Sequence, residues 1–586
     1  MGLVRQELGI NLTSELNGIN SQLKEISINI KSFGVTGEGI NDDTVAIQNA
    51  IDYVKSLGGG TVYFPKGRYK VNTHLILRNK VNLEGSLNNA VIFIDNDGIG
   101  NGEAWIYSEN SSWNYNASTA PSFTIRGITF EYLRTKDCSD MKLRQMLGLF
   151  NVQNVTIEYC YFRVPNPVDN PLAYCGASCL DLYGNWRNVK ILHCKFDLLS
   201  DSFIDGGCIW VRNFSNDVGS FSENVLIDDC IFNKKSHDEI LAIYTCKENI
   251  RNIKIRNCIF NQLKSTTVSP VTFTFKAMGD GDICQDIEFC NNTITVDDVS
   301  LAVVHIGGGT GSTRDIKMHH NTWNVNTTFD PSVNTTYIVW KDINSSDTYF
   351  ETNVVNVNAT YYFKHGVKGV ENVYNNTIRG KVQSIFTLAN TCRDNIINVD
   401  TSVPNSVGLT NCRSTYGNKI TNVCRGILLQ YENGSTNQSY NAYNEISVTN
   451  DASARGAYLQ VFVGRTFSAD VQFVNNIFTV PNTNSYCIHM DNTNWNVILK
   501  DNKIIGCSKV YRPTGTTTFK YCSNNDWNTF NDSKTANISN SDGYSLLDAL
   551  PVGHEIRNSA EGTPSKWIRT SSVNKNVSDW TIITGS

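Results

Sequence analysis

The sequence predicts an all-β chain, a right-handed single-stranded parallel β-helix. Three observations predict it. First, short apolar runs recur at Cys179-Leu-Asp-Leu-Tyr, Cys208-Ile-Trp-Val-Arg, Ile240-Leu-Ala-Ile-Tyr, Val271-Thr-Phe-Thr-Phe-Lys and Leu301-Ala-Val-Val-His-Ile, with starts 29, 32, 31 and 30 residues apart. A fixed period near 30 marks a solenoid whose repeats bury their apolar faces by stacking on one another. Second, a further run lies between each pair, as in Ile191-Leu-His-Cys-Lys-Phe, Ile227-Asp-Asp-Cys-Ile-Phe, Ile255-Arg-Asn-Cys-Ile-Phe and Ile287-Glu-Phe-Cys-Asn-Asn. Third, the runs alternate inward and outward residues with no helical pattern between them, as strands do.

The elements follow in order. Residues 1–30 carry Leu12, Leu16, Ile19, Leu23, Ile26 and Ile30. That is a short heptad seam, and it predicts a coiled-coil attachment segment aligning three parallel chains. A helix packed on its own domain is the alternative. Residues 31–85 predict a cap on the solenoid. Asp42 or Asp43 starts a helix with the stripe Ile47, Ala50, Ile51 and Val54, Gly58-Gly-Gly ends it, and Thr61-Val-Tyr-Phe-Pro-Lys-Gly-Arg-Tyr forms a strand and turn. Residues 86–510 hold the remaining coils. Cys160, Cys194, Cys230, Cys258 and Cys290 predict a ladder of buried thiols. Farther along, Asn292, Asn321, Asn376, Asn476 and Asn502 predict stacked side chains hydrogen-bonded along the axis. Residues 100–122 and 161–178 read as surface loops bearing Trp105, Trp113, Tyr115, Tyr161 and Tyr174. Residues 511–586 lose the period and read as three or four short strands, a small trimerisation or tip domain.

Composition narrows the partners. The formal net charge is −5 and no block of Lys or Arg occurs, which disfavours nucleic acid and anionic membranes. No apolar run approaches the roughly 18–20 residues of a membrane span. Met1-Gly-Leu-Val-Arg-Gln-Glu lacks the apolar core of a signal peptide, so an extracellular role implies another exit, such as virion release by lysis. The 17 cysteines include no zinc-like CxxC pair, and the pattern fits folding in a reducing compartment.

The chemistry is expected on one outer wall. With Leu182, Val211, Ile243, Phe275 and Ile306 inside, their neighbours Tyr183, Arg212, Tyr244, Lys276 and His305 point outward. At roughly 4.8 Å per coil they form an aromatic and cationic column, suited to an extended polymer bearing hydroxyls and negative charge. Trp210 could stack on a sugar ring, and Arg212 could grip a carboxylate or phosphate in bidentate fashion. Acids gather at the starts of these strands: Asp201 and Asp205 before Cys208-Ile-Trp, and His237-Asp238-Glu239 before Ile240-Leu-Ala-Ile-Tyr. Glycoside hydrolysis needs two carboxyl groups, about 5–5.5 Å apart for retention and about 6.5–9.5 Å for inversion. Asp205, Asp238, Glu239 and Asp201 are therefore the catalytic candidates, with Asp181 on the preceding coil. Tyr183, Trp210, Arg212, Tyr244, Lys276, His305 and His237 are the binding candidates. The bland alternative makes Asp205 and Asp238 turn formers. Elimination would use Arg212 or Lys276 with Tyr244 or His305. Phosphodiester cleavage would use Arg212, Lys276 and His305, with a metal on Asp201, Asp205 or Asp238 as an option. The favoured reading needs no metal and no cofactor.

The stretch from Phe33-Gly through Asp42-Asp-Thr, Ala46-Ile-Gln, Gly58-Gly-Gly and Phe64-Pro-Lys-Gly closely resembles the N-terminal cap of pectate-lyase-like right-handed β-helix proteins, phage tailspikes among them. The match covers about residues 28–85 and is specific for fold; it says little about chemistry, because this fold hosts lyases, hydrolases and adhesins. The final strands resemble, more weakly, those closing phage tail-fibre and tailspike proteins. The resemblance implies a homotrimeric tailspike depolymerase held to the phage tail or baseplate through its N-terminus. It would be located in the virion, acting at the host surface on a capsular or other polysaccharide. Wall teichoic acid phosphodiesterase, polysaccharide lyase and non-catalytic adhesin are the alternatives.

Overall fold

The computed structural model describes residues 27–87, 89–94, 103–109, 119–133, 143–164, 178–199, 207–214, 221–235, 239–246, 249–264, 271–332, 335–431, 438–461, 469–482, 485–490, 495–506, 509–513, 518–523, 525–527, 555–558, 565–569 and 580–584. The heptad seam up to Ile26 lies outside them. Two compact units are present, residues 1–317 with 344–346, and residues 318–343 with 347–586. Each is built of right-handed parallel β-helix coils that contribute a strand to each of three parallel sheets.

In the first unit, sheet A includes Gln153–Glu158, Arg187–Leu192, Phe221–Asp228, Asn249–Arg256 and Ile283–Cys290. Its register stacks Val155, Val189, Val225, Ile253 and Ile287 in one internal file, and Ile157, Ile191, Ile227, Ile255 and Phe289 in the next. All ten are buried, so period-2 alternation turns directly into core. Sheet B includes Ile128–Tyr132, Tyr161–Val164, Lys195–Leu198, Ile231–Lys234 and Ile259–Gln262. Inside it, Phe130, Phe162, Phe196, Phe232 and Phe260 stack at centroid spacings of 5.2, 4.9, 4.8 and 4.6 Å. That spacing is the coil rise itself, so one ring per coil fills the core without strain.

The bend between sheets A and B repeats a left-handed residue: Tyr159, His193, Asp229, Asn257 and Asn291, with φ between 52° and 55°. The residue after each of these points inward and builds the ladder. Cys160, Cys194, Cys230 and Cys258 are free, buried thiols. The fifth place belongs to Asn292, not Cys290: Asn292 Oδ1 accepts from the Cys258 backbone N–H at 2.9 Å. The expectation for Cys290 is corrected because Ile287 pairs with Ile253 rather than with Ile255, which puts Cys290 opposite Arg256.

The cap helix spans Thr44–Ser56 and buries Thr44, Ile47, Ala50, Ile51 and Val54. Asp42 supplies its cap, with Oδ1 accepting from the Thr44 backbone N–H at 3.0 Å. Asp43 makes no capping bond. Gln48 Oε1 accepts from Ile76 N–H at 2.8 Å and Gln48 Nε2 donates to Ile76 O at 3.2 Å. The helix thus satisfies the open edge of the strand Leu75–Leu77, the edge an uncapped solenoid would expose. Gly59, at φ 127°, lies where a Cβ would meet Lys80 O at 2.6 Å, so only glycine leads from helix to first strand.

Two of the loop aromatics are not on loops: Trp105 is buried in the strand Glu103–Ser108, and Tyr161 belongs to Tyr161–Val164. Trp113, Tyr115 and Tyr174 lie outside the described residues.

The second unit keeps the architecture with coils of varied length. Asn321, Asn353, Asn376, Asn395, Asn418, Asn444, Asn476, Asn502 and Asn525 form one continuous buried ladder, with each Nδ2 up to Asn502 donating to the next Oδ1 at 2.8–3.2 Å. Its sequence steps range from 19 to 32 residues. The steps of 19 to 26 residues around Asn395, Asn418 and Asn525 hide them from a period near 30, and the sequence reading also passed over Asn353 and Asn444. At the end, Glu555–Asn558, Ser565–Arg569 and Trp580–Thr584 pair antiparallel.

His365 makes the second unit sensitive to acid. Its ring stacks on Tyr337 at 4.9 Å, and burial, then Lys368 and Lys364, push its pKa down to about 4 from the ordinary 6.5. A depressed base is neutral when folded and takes up a proton on unfolding. Its stabilising contribution is present above about pH 6.5 and is lost as pH falls toward 4. The full shift corresponds to roughly 3 kcal/mol, reduced by the part of the ring that water reaches. Denaturant melts between pH 7 and 4 are expected to show a steeper loss for the native chain than for His365→Gln.

Candidate functional site

The candidate site lies on the outer face of sheet C in the first unit, on the strands Leu143–Phe150, Ser178–Tyr183, Ile209–Phe214, Leu241–Cys246, Val271–Ala277 and Ala302–Ile306. The register pairs Phe150 with Tyr183, Arg212 with Tyr244, and Tyr244 with Lys276. The Arg212 guanidinium sits 5.4 Å from the Tyr183 ring centroid, which joins that residue to the file. Tyr183, Arg212, Tyr244 and Lys276 are half-buried, as outward residues of a packed wall are. Phe150, whose ring meets Tyr183 edge-on at 5.4 Å, extends the file by a coil that the sequence reading did not use.

His305 does not continue this file. It pairs with Thr274, while Ile306 pairs with Phe275. His305 therefore stands on the same sheet two residues to the side, in a second file: Gly148, Asp181, Trp210, Ala242, Thr274, His305. The four other strands place their outward residue after the buried one, whereas His305 precedes Ile306.

Glu239 is where the two files meet. Its Oε1 accepts from Tyr244 Oη at 2.5 Å and from Thr274 Oγ1 at 2.9 Å. Two hydroxyls donating to one oxygen hold the Glu239 carboxyl in a set orientation, as a positioned base or nucleophile requires. One coil back, Trp210 lies flat beneath the Arg212 guanidinium at 4.3 Å, and its Nε1 is buried without a hydrogen-bond acceptor. Gly207 makes this possible: a Cβ there would come within 2.4 Å of Trp210 Nε1 and 2.7 Å of Glu239 O.

Arg212 has a different job from the one its sequence position suggests. Its Nε donates to Asp181 Oδ1 at 3.2 Å and its Nη2 bonds Asp181 Oδ2. Gln145 Nε2 donates to Asp181 Oδ2 at 3.1 Å. Asp181 is wholly buried, and that burial pushes its carboxyl up against the pull of Arg212 and Gln145. The fork that was to hold a substrate anion is thus engaged by an internal one, and its guanidinium carbon lies 4.3 Å from the Trp210 ring centroid and 5.4 Å from that of Tyr183. Asp181→Ala would take from Arg212, 16% exposed, the buried carboxylate that its fork engages. We expect a loss of about 3 kcal/mol in urea unfolding, at the low end for a broken buried pair because Arg212 retains some water.

Asp201, Asp205, His237 and Asp238 lie outside the described residues. Among the described residues, Glu239 and Asp181 are the carboxylates on this wall that the files bring near the aromatic column. A separate concavity of about 550 Å³ on sheet A, lined by Asn188, Asn224, Lys190, Leu226, Lys254 and Arg256 among others, has no carboxylate in its lining. It offers a surface for binding but no carboxylate pair for acid–base work. Among the described residues no helix is long and apolar enough to cross a membrane.

Residues 27–258 match the family described as rhamnogalacturonase A/epimerase, pectate lyase-like. The plasmin and fibronectin-binding protein A of Streptococcus pneumoniae is 27% identical over 292 residues, 44% of this chain and 39% of that protein. The mannuronan C5-epimerase AlgE6 of Azotobacter vinelandii is 48% identical over 65 residues, 10% of this chain and 7% of that one. This chain thus spans about two fifths, and well under a tenth, of these relatives' lengths. Among solved structures, bacteriophage CBA120 tailspike protein 3 is similar with 11% identity and a TM-score of 0.32, covering 95% of this chain and 69% of that one.

Proposed function

Starting from a chain whose residues 27–258 match the pectate-lyase-like family, we propose that it binds a bacterial surface glycopolymer along sheet C of its first unit and cleaves it by glycoside hydrolysis. The observation that carries this reading is Glu239. It is a half-buried carboxylate oriented by Tyr244 and Thr274 at the junction of an aromatic file and a polar one. Sugars present C–H faces to aromatic planes and hydroxyls to polar edges, and Tyr183, Trp210 and Tyr244 supply the planes. Glu239 serves as base or nucleophile, and the second carboxyl comes from Asp201, Asp205 or Asp238. In this reading the chain is a homotrimeric phage tailspike, carried on the virion tail by its N-terminus. The heptad seam up to Ile30 and the terminal strands support that placement.

A second reading, a non-catalytic adhesin, is favoured by one observation. Arg212 is bound to Asp181, and the wall otherwise shows a stacking surface of the kind that binds without reacting. Incubation with a panel of capsular and wall polymers separates the readings. Fragments that each gain one water support hydrolysis. Fragments absorbing as unsaturated uronates would indicate elimination, and phosphomonoester ends would indicate cleavage of teichoic acid. Binding with an unchanged polymer size profile would overturn the enzymatic reading and leave the adhesin.

A further inference from the structure

The second unit carries a cluster that has no part in the site above. Two strands repeat one motif 30 residues apart, Arg425-Gly-Ile-Leu-Leu-Gln and Arg455-Gly-Ala-Tyr-Leu-Gln. Parallel pairing sets Arg425 beside Arg455 and Arg455 beside Tyr486, and sets Tyr458 beside His489. The Arg425 guanidinium lies 5.3 Å from the Tyr458 ring centroid, and that of Arg455 lies 5.3 Å from Tyr486. Tyr458 and His489 stack at 4.8 Å, and Tyr486 meets His489 at 5.5 Å. Arg455 is held firmly: Nε donates to His489 Nδ1 at 3.2 Å, and Nη1 donates to the carbonyls of Ala452 and Ala454 at 3.0 and 2.7 Å. Arg425 Nε is buried and makes no hydrogen bond.

The missing element is a counter-ion. Other outward arginines meet carboxylates, among them Arg251 with Glu223, Arg256 with Asp228 and Arg212 with Asp181. Among the described residues, neither Arg425 nor Arg455 is ion-paired. The nearby acid, Asp451, is exposed, and its Oδ1 accepts from Ser453 N–H at 2.8 Å and Ser453 Oγ at 3.0 Å. Two guanidinium groups on adjacent coils, roughly 4.8 Å apart at the backbone, repel one another unless an anion lies between or above them. Burial already weakens the hold of Arg455 on its proton, a sign of how little water screens the charge. Planar forks fixed over aromatic rings match the geometry of a carboxylate or phosphate attached to a ring that can itself stack.

We propose that Arg425, Arg455, Tyr458, Tyr486 and His489 form a second glycan subsite, which captures a sugar carrying a carboxylate or phosphate. The subsite is one of binding only, so it stands whether or not Glu239 cleaves. Its test is titration calorimetry on the full chain with three probes: an oligogalacturonate, a glycerol phosphate oligomer and a neutral maltooligosaccharide. The native chain is expected to bind at least one anionic probe, and which one identifies the anion. Arg425→Gln with Arg455→Gln is expected to weaken that binding at least tenfold and to leave the neutral probe unaffected. Should the double variant melt early, Arg425→Gln alone carries the test, because that side chain gives up no hydrogen bond. No binding of either anionic probe to the native chain, unchanged affinity in a folded variant, or equal losses for anionic and neutral probes would each overturn the proposal.

Discussion

Glu239→Gln is expected to lower the rate of polymer cleavage by a factor on the order of 10² to 10⁴, while binding and melting temperature stay near native. The size of the effect follows from what is removed. Gln keeps the shape of Glu and an oxygen able to accept from Tyr244 Oη and Thr274 Oγ1, as the carboxylate does in the native chain. It cannot carry negative charge, accept a proton from water or attack an anomeric carbon. Glu239 is half-buried rather than enclosed, so exchanging its charge for an amide leaves the packing intact and should change stability by no more than about 1 kcal/mol. The informative comparison is Tyr244→Phe, which removes one donor and leaves the carboxylate, and should reduce the rate far less than Glu239→Gln. Time courses of polymer size for both variants, read beside thermal melts, decide the matter. If Glu239→Gln shortens polymer at the native rate, the reacting carboxylates lie elsewhere, and the Asp201–Asp205 segment becomes the first place to look.

The sequence made the coil visible because a strand buried on one face must alternate, and a stacked coil must repeat. What it concealed were the places where register shifts without changing the pattern. Ile287 looks like the partner of Ile255 because both stand three residues before a cysteine. The true pairing is with Ile253, and Asn292 inherits the ladder position expected for Cys290. His305 was displaced for a similar reason: alternation tells which face a residue takes, not which file. The Asp181–Arg212 pair joins residues 31 apart in sequence, and no local pattern announces it. A signal did exist, an aspartate inside the apolar run Cys179-Leu-Asp-Leu-Tyr with an arginine one coil later. A charge in such a run needs a partner, and the next coil was the place to seek it. The Arg425 and Arg455 motifs were equally legible as a repeat, but they fall outside the stretch where the thiol ladder had fixed the phase.

Breaking the asparagine ladder should be the most damaging single change in the second unit. Asn418→Ala is expected to reduce unfolding stability by about 4 kcal/mol or more. Asn418 Oδ1 accepts from the backbone N–H and the Nδ2 of Asn395, at 3.1 and 2.8 Å. Its Nδ2 donates to Cys392 O and to Asn444 Oδ1, both at 2.9 Å. Truncation therefore strands a backbone N–H and a carbonyl among fully buried residues, each worth about 1–3 kcal/mol, and weakens two side-chain amides besides. The side chain is fully buried, so a void adds to the loss. The first unit shows which substitution should be milder. There the same place after the left-handed bend is filled by cysteine, and Cys230 Sγ accepts from the Cys194 backbone N–H at 3.4 Å. A thiol can thus cover the neighbouring N–H, though not the carbonyl as well as an amide does. Asn418→Cys should fall between native and Asn418→Ala in a urea titration. Equal stability of Asn418→Ala and the native chain would mean that the amide column is ornamental and that the apolar files alone hold the coils.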